Sequence, residues 1–236
     1  MSVATAPAPP TPSPWPAGPT LVLIGVFLAV AAGGALAQHQ SAGQAALPAP
    51  PSPVLFYLSL MAVEWGLVLY VWRAGLRGDT AALRELIGGR WRSPGDVAGD
   101  GALALALWAL WGGLDRLLDA WRGGEGAASV ASWLPHGPLQ VGLWVGLSLS
   151  AGFAEELVFR GYLQRQLRTI TGNAVVAVVL QAVLFGISHG YQGLRATAKI
   201  TAYALLFTAL ATWRRSLRPG MLAHAWTDVA AGVLRI

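Results

Sequence analysis

The sequence predicts an all-α fold: a polytopic membrane helix bundle of about seven transmembrane helices, with a four-helix core in its C-terminal half. Hydrophobic residues make up 55% of the 236 and charged residues only 11%, too apolar a balance for an ordinary soluble domain. Uncharged runs long enough to cross a bilayer recur along the chain. The basic residues, all Arg except Lys199, gather between those runs. The chain has no Cys, which excludes disulfides, thiolate metal sites and a cysteine nucleophile. The net charge of +5 reports loop topology and lipid headgroups, and no nucleic-acid-binding pattern is present.

Three regions are expected: a disordered Pro-rich tail over 1–19, membrane helices and loops over 20–138, and a core over 139–236. The tail holds seven Pro, no charged side chain and no basic stretch of the kind that opens a signal peptide. Thr20 to Ala37 is the first span, followed by a Pro-rich connector from Gln38 to Pro53. Val54 to Trp72 is the second span and carries Glu64 in its middle, read as a polar helix-contact residue rather than a functional one. The most charged part runs from Arg73 to Asp100, and within it Thr80 to Ile87 forms a short amphipathic interfacial helix. Gly101 to Leu114 starts a third span, and Asp115 to Pro138 is a polar connector with a Gly-rich centre. Leu139 to about Arg168 is one long helix, or two parted near Gly152. Asn173 to Ser188, Lys199 to Trp213 and Pro219 to Ile236 complete the set. His39 and His136 are assigned to loops, and Trp72 and Trp213, each beside an Arg, to the membrane interface.

Positive charge sorts by loop. The segments Arg73–Asp100, Arg160–Gly172 and Arg214–Arg218 hold eleven of the sixteen basic residues. Placed on one side, they make that side cytoplasmic, with the N-terminus beside it. The expected location is the plasma (inner) membrane of a bacterium, with membrane lipids as the first partners. No internal repeat stands out, which argues against an inverted-repeat transporter.

The chain is organised around Ala154-Glu155-Glu156-Leu157-Val158-Phe159-Arg160. A carboxylate inside a bilayer costs several kcal/mol or so unless it is paired or used, so two adjacent ones need a reason. On a helix Glu156 and Arg160 are four apart and pair, whereas Glu155 projects about 100° away. That leaves Glu155 for chemistry. His189 ends Phe185-Gly186-Ile187-Ser188-His189, and His224 and Asp228 share a face of His224-Ala225-Trp226-Thr227-Asp228. A lone His in a helix is usually a satisfied structural residue, but two His, an Asp and a Glu pair together in apolar helices point to a site. If the helices flanking Gly172 form an antiparallel hairpin, Glu155 lies 17 residues before the turn and His189 17 after, hence at equal height.

These residues resemble a known family. Glu155-Glu156-x-x-x-Arg160, Phe185-x-x-x-His189 and His224-x-x-x-Asp228 are similar to the three ordered motifs of the type II CAAX prenyl endopeptidases, the CPBP or Abi group of intramembrane proteases. The resemblance covers about 139–236; each motif alone is weak and the ordered set is specific. It implies hydrolysis of a peptide bond by a glutamate-activated water. Glu155 would be the general base, His189 would help hold the water, and His224 and Asp228 would face the oxyanion. Glu156 and Arg160 would support the helix. The chemistry agrees, since burial strengthens a carboxylate as a base and oriented donors stabilise an oxyanion.

One position departs from the pattern. The family most often has Asn where this chain has Asp228, and an ionised Asp can only accept hydrogen bonds. Asp228 could instead be protonated, orient His224, or ligate a metal. The expectation is a mechanism without a cofactor; the alternative is a divalent metal such as zinc held by Glu155, His189, His224 and Asp228. The substrate would be a peptide or membrane protein, lipidated or not, and no nucleic acid is involved. Two readings compete: a non-catalytic membrane binder of the bacteriocin-immunity kind, and a proton-coupled transporter using Glu155 and His189 as a relay. Counting from the Arg-rich side puts Glu155, His224 and Asp228 in the cytoplasmic half of their helices but His189 near the far end of its span. Loop charge and hairpin register therefore do not jointly assign the face on which the site opens.

Overall fold

The computed structural model describes residues 15–40, 52–122 and 131–234. Those residues form nine α-helices and contain no strand. α1 (Ala17–Gln40) and α2 (Pro53–Tyr70, prolonged by a π-helical stretch Val71–Gly75) come first. The short α3 (Thr80–Ile87) precedes α4 (Pro94–Arg122). α5 (Pro138–Glu155) runs through a π-helical stretch, Glu156–Leu163, into α6 (Gln164–Thr171), so Pro138–Thr171 is one continuous helix. α7 (Ala174–Ser188), α8 (Leu194–Arg214) and α9 (Arg218–Val229, continued as a π-helical Ala230–Leu234) complete the bundle.

Capping side chains and a turn glycine start and stop several of these helices. Ser52 caps α2 by accepting from the Leu55 amide, with Pro53 in the first turn. Asp79 accepts from the amides of Ala81 and Ala82 at 2.8 and 3.1 Å to open α3. Asn173 does the same for Val175 and Val176 at the head of α7. Between α6 and α7, Gly172 at φ 66° makes the left-handed turn that reverses the chain.

Among the described residues four helices are long and apolar enough to cross a membrane: Ala17–Gln40, Pro53–Gly75, Pro94–Leu117 and Pro138–Thr171. Their outer faces carry exposed Leu21, Leu55, Val63, Leu105 and Leu139, as lipid contact requires. The protein is therefore an integral membrane protein. The expected seven spans exist as helices, but α7, with 15 residues, is shorter. α8 and α9 are less apolar, since they carry Arg195, Lys199, His224 and Asp228.

Several boundaries differ from the sequence reading. The proline tail was expected to reach residue 19, but the helix starts at Ala17, because Pro19 fits a first turn. Residues 1–14 of that tail lie outside the described residues, as does 41–51 of the connector expected over 38–53. His39 is in the last turn of α1, not in a loop, whereas His136 does precede α5 in a loop. The polar connector expected from Asp115 is helical as far as Arg122, because the Asp115 carboxylate meets Lys199 Nζ at 2.7 Å and offsets its own cost; 123–130 lie outside the described residues. No break occurs at Gly152; the irregularity is the π-helical stretch that begins at Glu156.

The three basic segments do collect at one end of the bundle. Leu217 N–H donates to the Ile87 carbonyl at 3.0 Å, and the Arg218 guanidinium donates to the Gly88 carbonyl at 3.2 Å. Arg214 meets the buried Asp100 carboxylate at 3.0 Å, and Arg165 meets Glu85 at 3.3 Å. At the opposite end Tyr57 donates to the Trp133 carbonyl at 2.5 Å, and Trp133 stacks on Tyr191.

Candidate active site

The site forms where α5 and α9 cross, and the crossing depends on the absence of a side chain. A Cβ on Gly152 would stand 2.7 Å from the Met221 carbonyl oxygen and 2.8 Å from the Ala225 amide. Only glycine lets the two backbones come this close, and the contact sets His224 directly against Glu155 and Glu156. One turn earlier on α9 Gly220 makes the same allowance, with Glu156 Oε2 lying 3.2 Å from where its Cβ would be.

Beyond Glu155 the helix widens into the π-helical stretch Glu156–Leu163, all of it buried. An extra residue per turn re-aims side chains, which is why such stretches recur at functional sites. Glu156 and Arg160 pair as expected, with Oε1 and Nη1 at 3.2 Å and neither side chain exposed. The guanidinium also lies over the Phe185 ring, 4.0 Å from its centroid, a cation–π contact in a dry setting.

The sequence reading did not foresee that Glu156 also holds His224. Its Oε1 lies 3.1 Å from His224 Nδ1. A carboxylate can only accept, so Nδ1 carries the proton and Nε2 faces the other way. Nε2 then lies 3.7 Å from Glu155 Oε2 and 3.7 Å from Asp228 Oδ2. Glu155 is partly open, with 22% of its side chain exposed, yet its Oε2 is buried without a hydrogen-bond partner. Arg160, Glu156 and His224 thus make a connected chain, and Glu155 and Asp228 stand at its end.

His189 is placed by the hairpin that turns at Gly172. Phe159 and Phe185, each 13 residues from Gly172, touch with ring centroids 5.0 Å apart. Glu155 and His189 each lie four residues further from Gly172 than these two rings. His189 Nδ1 lies 2.9 Å from the Phe185 carbonyl, which makes it the donor and leaves the Nε2 lone pair as an acceptor. The Phe185 ring sits between the two imidazoles, 4.9 Å from His189 and 6.3 Å from His224. Beside His189, burial pushes the Tyr191 phenol up to about 12, so it stays a neutral donor at physiological pH.

Glu64 belongs to this neighbourhood as well, although the sequence reading set it aside as a packing residue. α2 and α5 run side by side, with Tyr57 against Trp144 and Trp65 against Phe153, centroids 5.5 and 5.6 Å apart. That register places Glu64 against Ser150 and within electrostatic reach of Glu155, His224 and Asp228. The residue is 9% exposed and its Oε2 has no hydrogen-bond partner. It was legible only as an isolated charge in an apolar run, because nothing in the sequence gives the α2–α5 register.

Among the described residues no group of three or more His, Asp or Glu is arranged to hold an ion. His224 Nδ1 is engaged by Glu156, and its Nε2 faces the Glu155 and Asp228 carboxylates at 3.7 Å each.

Residues 137–230 match a family model described as Type II CAAX prenyl endopeptidase Rce1-like. The matched segment contains the whole Glu155–Arg160, Phe185–His189 and His224–Asp228 set and covers less than half of the chain. Glu64 lies outside the Rce1-like segment. No curated protein and no solved structure matches the chain.

Proposed function

We propose that this protein is an intramembrane endopeptidase that hydrolyses a peptide bond with a water activated by Glu155. The observation that carries the reading is the buried, unpartnered Glu155 Oε2, held beside His224 inside an Rce1-like segment. In the mechanism, the Glu155 carboxylate takes a proton from water as its oxygen attacks the scissile carbonyl carbon. His189 Nε2, an acceptor because Nδ1 is bound to Phe185, takes the second hydrogen bond of that water and aims it. The carbonyl oxygen becomes the oxyanion of a tetrahedral intermediate beside His224. The C–N bond then breaks, and Glu155 returns its proton to the leaving amine. Glu156 acts through His224 and is a positioning residue.

No step in this scheme needs a metal. The substrate is a peptide or membrane-protein segment, with a prenylated C-terminus as the first class to try because of the family match. The proposed setting is a bacterial plasma membrane, and the distribution of Arg between loops supports an N-terminus on the cytoplasmic side. The test is cleavage of membrane peptides by the purified protein in lipid vesicles, comparing wild type with Glu155→Ala and Glu156→Ala. Complete loss in Glu155→Ala with the fold intact supports the reading, and full activity in that variant removes it.

A further inference from the structure

Hydrolysis at this site creates a negative oxygen beside His224, yet the groups already described supply few donors for it. His224 Nδ1–H is spent on Glu156, and its Nε2 donates only when the ring is protonated. Asp228, when ionised, accepts and cannot donate. A preorganised donor is normally the largest single contribution to catalysis at a developing oxyanion.

One donor on a different helix fits. Tyr203 on α8 is 6% exposed, and its phenol oxygen is buried without a hydrogen-bond partner. Leaving a hydroxyl in that state costs about 1–3 kcal/mol, so its retention needs a reason. Packing holds the ring in one orientation: Phe207 stacks on it at 3.9 Å and Trp111 meets it edge-on at 5.2 Å. Its edge faces the His224 ring, centroids 5.6 Å apart at 77°.

Height agrees as well. α8 and α9 reverse at Arg215, φ 55°, so Tyr203, 13 residues before Ser216, comes level with Asp228, 12 after it. The phenol lies within electrostatic reach of the Asp228 and Glu156 carboxylates. Thr227 is within hydrogen-bonding reach of the phenol but spends its own proton on the Ala223 carbonyl at 2.8 Å, so toward Tyr203 it can act only as an acceptor.

We propose that Tyr203 is a further catalytic residue, whose phenol O–H donates a hydrogen bond to the oxyanion formed beside His224. No proton is transferred; the bond strengthens as charge develops on the carbonyl oxygen and weakens when the C–N bond breaks. The inference rests on the peptidase reading above.

The test is Tyr203→Phe, which removes one oxygen and keeps the ring contacts. With the full chain in lipid vesicles, kcat falls about 100-fold while KM changes less than about threefold. Affinity for a phosphinate isostere of the cleaved peptide, which carries the oxyanion, falls by a similar factor. Affinity for an uncleavable peptide of the same sequence does not change. Wild-type kcat in Tyr203→Phe, or equal weakening of both ligands, overturns the proposal while leaving the peptidase reading in place. Absence of any cleavage by the wild type overturns both.

Discussion

His224 Nδ1 and Glu156 Oε1 lie 3.1 Å apart, and that same oxygen meets Arg160 Nη1 at 3.2 Å. One buried carboxylate atom therefore ties the first helix of the site to the last. Glu155 and Glu156 are neighbours in sequence, but only Glu156 is hydrogen-bonded to His224, Glu155 standing 3.7 Å from its other ring nitrogen.

The first prediction separates the two. Glu155→Gln keeps shape and folding but removes the base, so activity falls by about 10²–10⁴ with an unchanged melting temperature. Glu156→Ala strands the Arg160 charge among Phe185 and Phe207 and releases His224. It costs about 3–5 kcal/mol of stability, and activity declines with the folded fraction. Cleavage rates paired with thermal unfolding in detergent check both. A Glu156→Ala variant as stable as wild type would contradict the assignment.

The sequence made the core legible because its chemistry is local. The i,i+4 pairs Glu156–Arg160 and His224–Asp228 follow from helix geometry, and equal counting from Gly172 brings Phe159 against Phe185. What escaped depends on how distant helices slide and rotate against one another. The Glu156–His224 bond needs α9 pressed onto α5 at Gly152, and the placing of Glu64 needs the Trp65–Phe153 register. In the sequence Tyr203 is an aromatic within the run Lys199–Trp213, with no neighbouring motif to mark it. The helical stretch from Asp115 to Arg122 was hidden for a similar reason, since Lys199, more than eighty residues away, pairs with Asp115.

The close crossing at Gly152 makes the second prediction. Gly152→Ala puts a methyl carbon into the Met221 carbonyl and the Ala225 amide, and backbone atoms cannot swing aside. Overpacking of this kind costs about 1–3 kcal/mol and pushes His224 away from Glu155. Activity should fall more than stability does. Gly142→Ala, on the same helix with nothing within 4 Å of the added carbon, should be neutral or slightly stabilising. Parallel assays of the two variants decide it, and equal effects would show that the α5–α9 approach is not critical.

A third prediction concerns Glu64. A buried carboxyl oxygen without a partner is a liability for folding, so Glu64→Leu raises the melting temperature by at least about 2 °C. The same change removes a carboxyl group from the surroundings of Glu155, His224 and Asp228, and activity falls. Stability and activity moving in opposite directions is the signature to look for. If both stay at wild-type values, Glu64 is a packing residue as its sequence context suggested.

The last prediction bears on metal. A bound zinc ion requires nitrogen and oxygen ligands at about 2.0–2.2 Å arranged around one point. Among the described residues no group of three or more His, Asp or Glu is arranged to hold an ion, and the proposed mechanism makes its nucleophile by proton transfer to Glu155. Cleavage should therefore persist in millimolar EDTA or 1,10-phenanthroline, and the purified active protein should contain far less than one equivalent of zinc. Asp228→Asn should retain activity, since an amide can donate to the oxyanion and no ligand charge is lost. Inhibition by chelator that zinc restores, together with an inactive Asp228→Asn, would instead make these residues ligands.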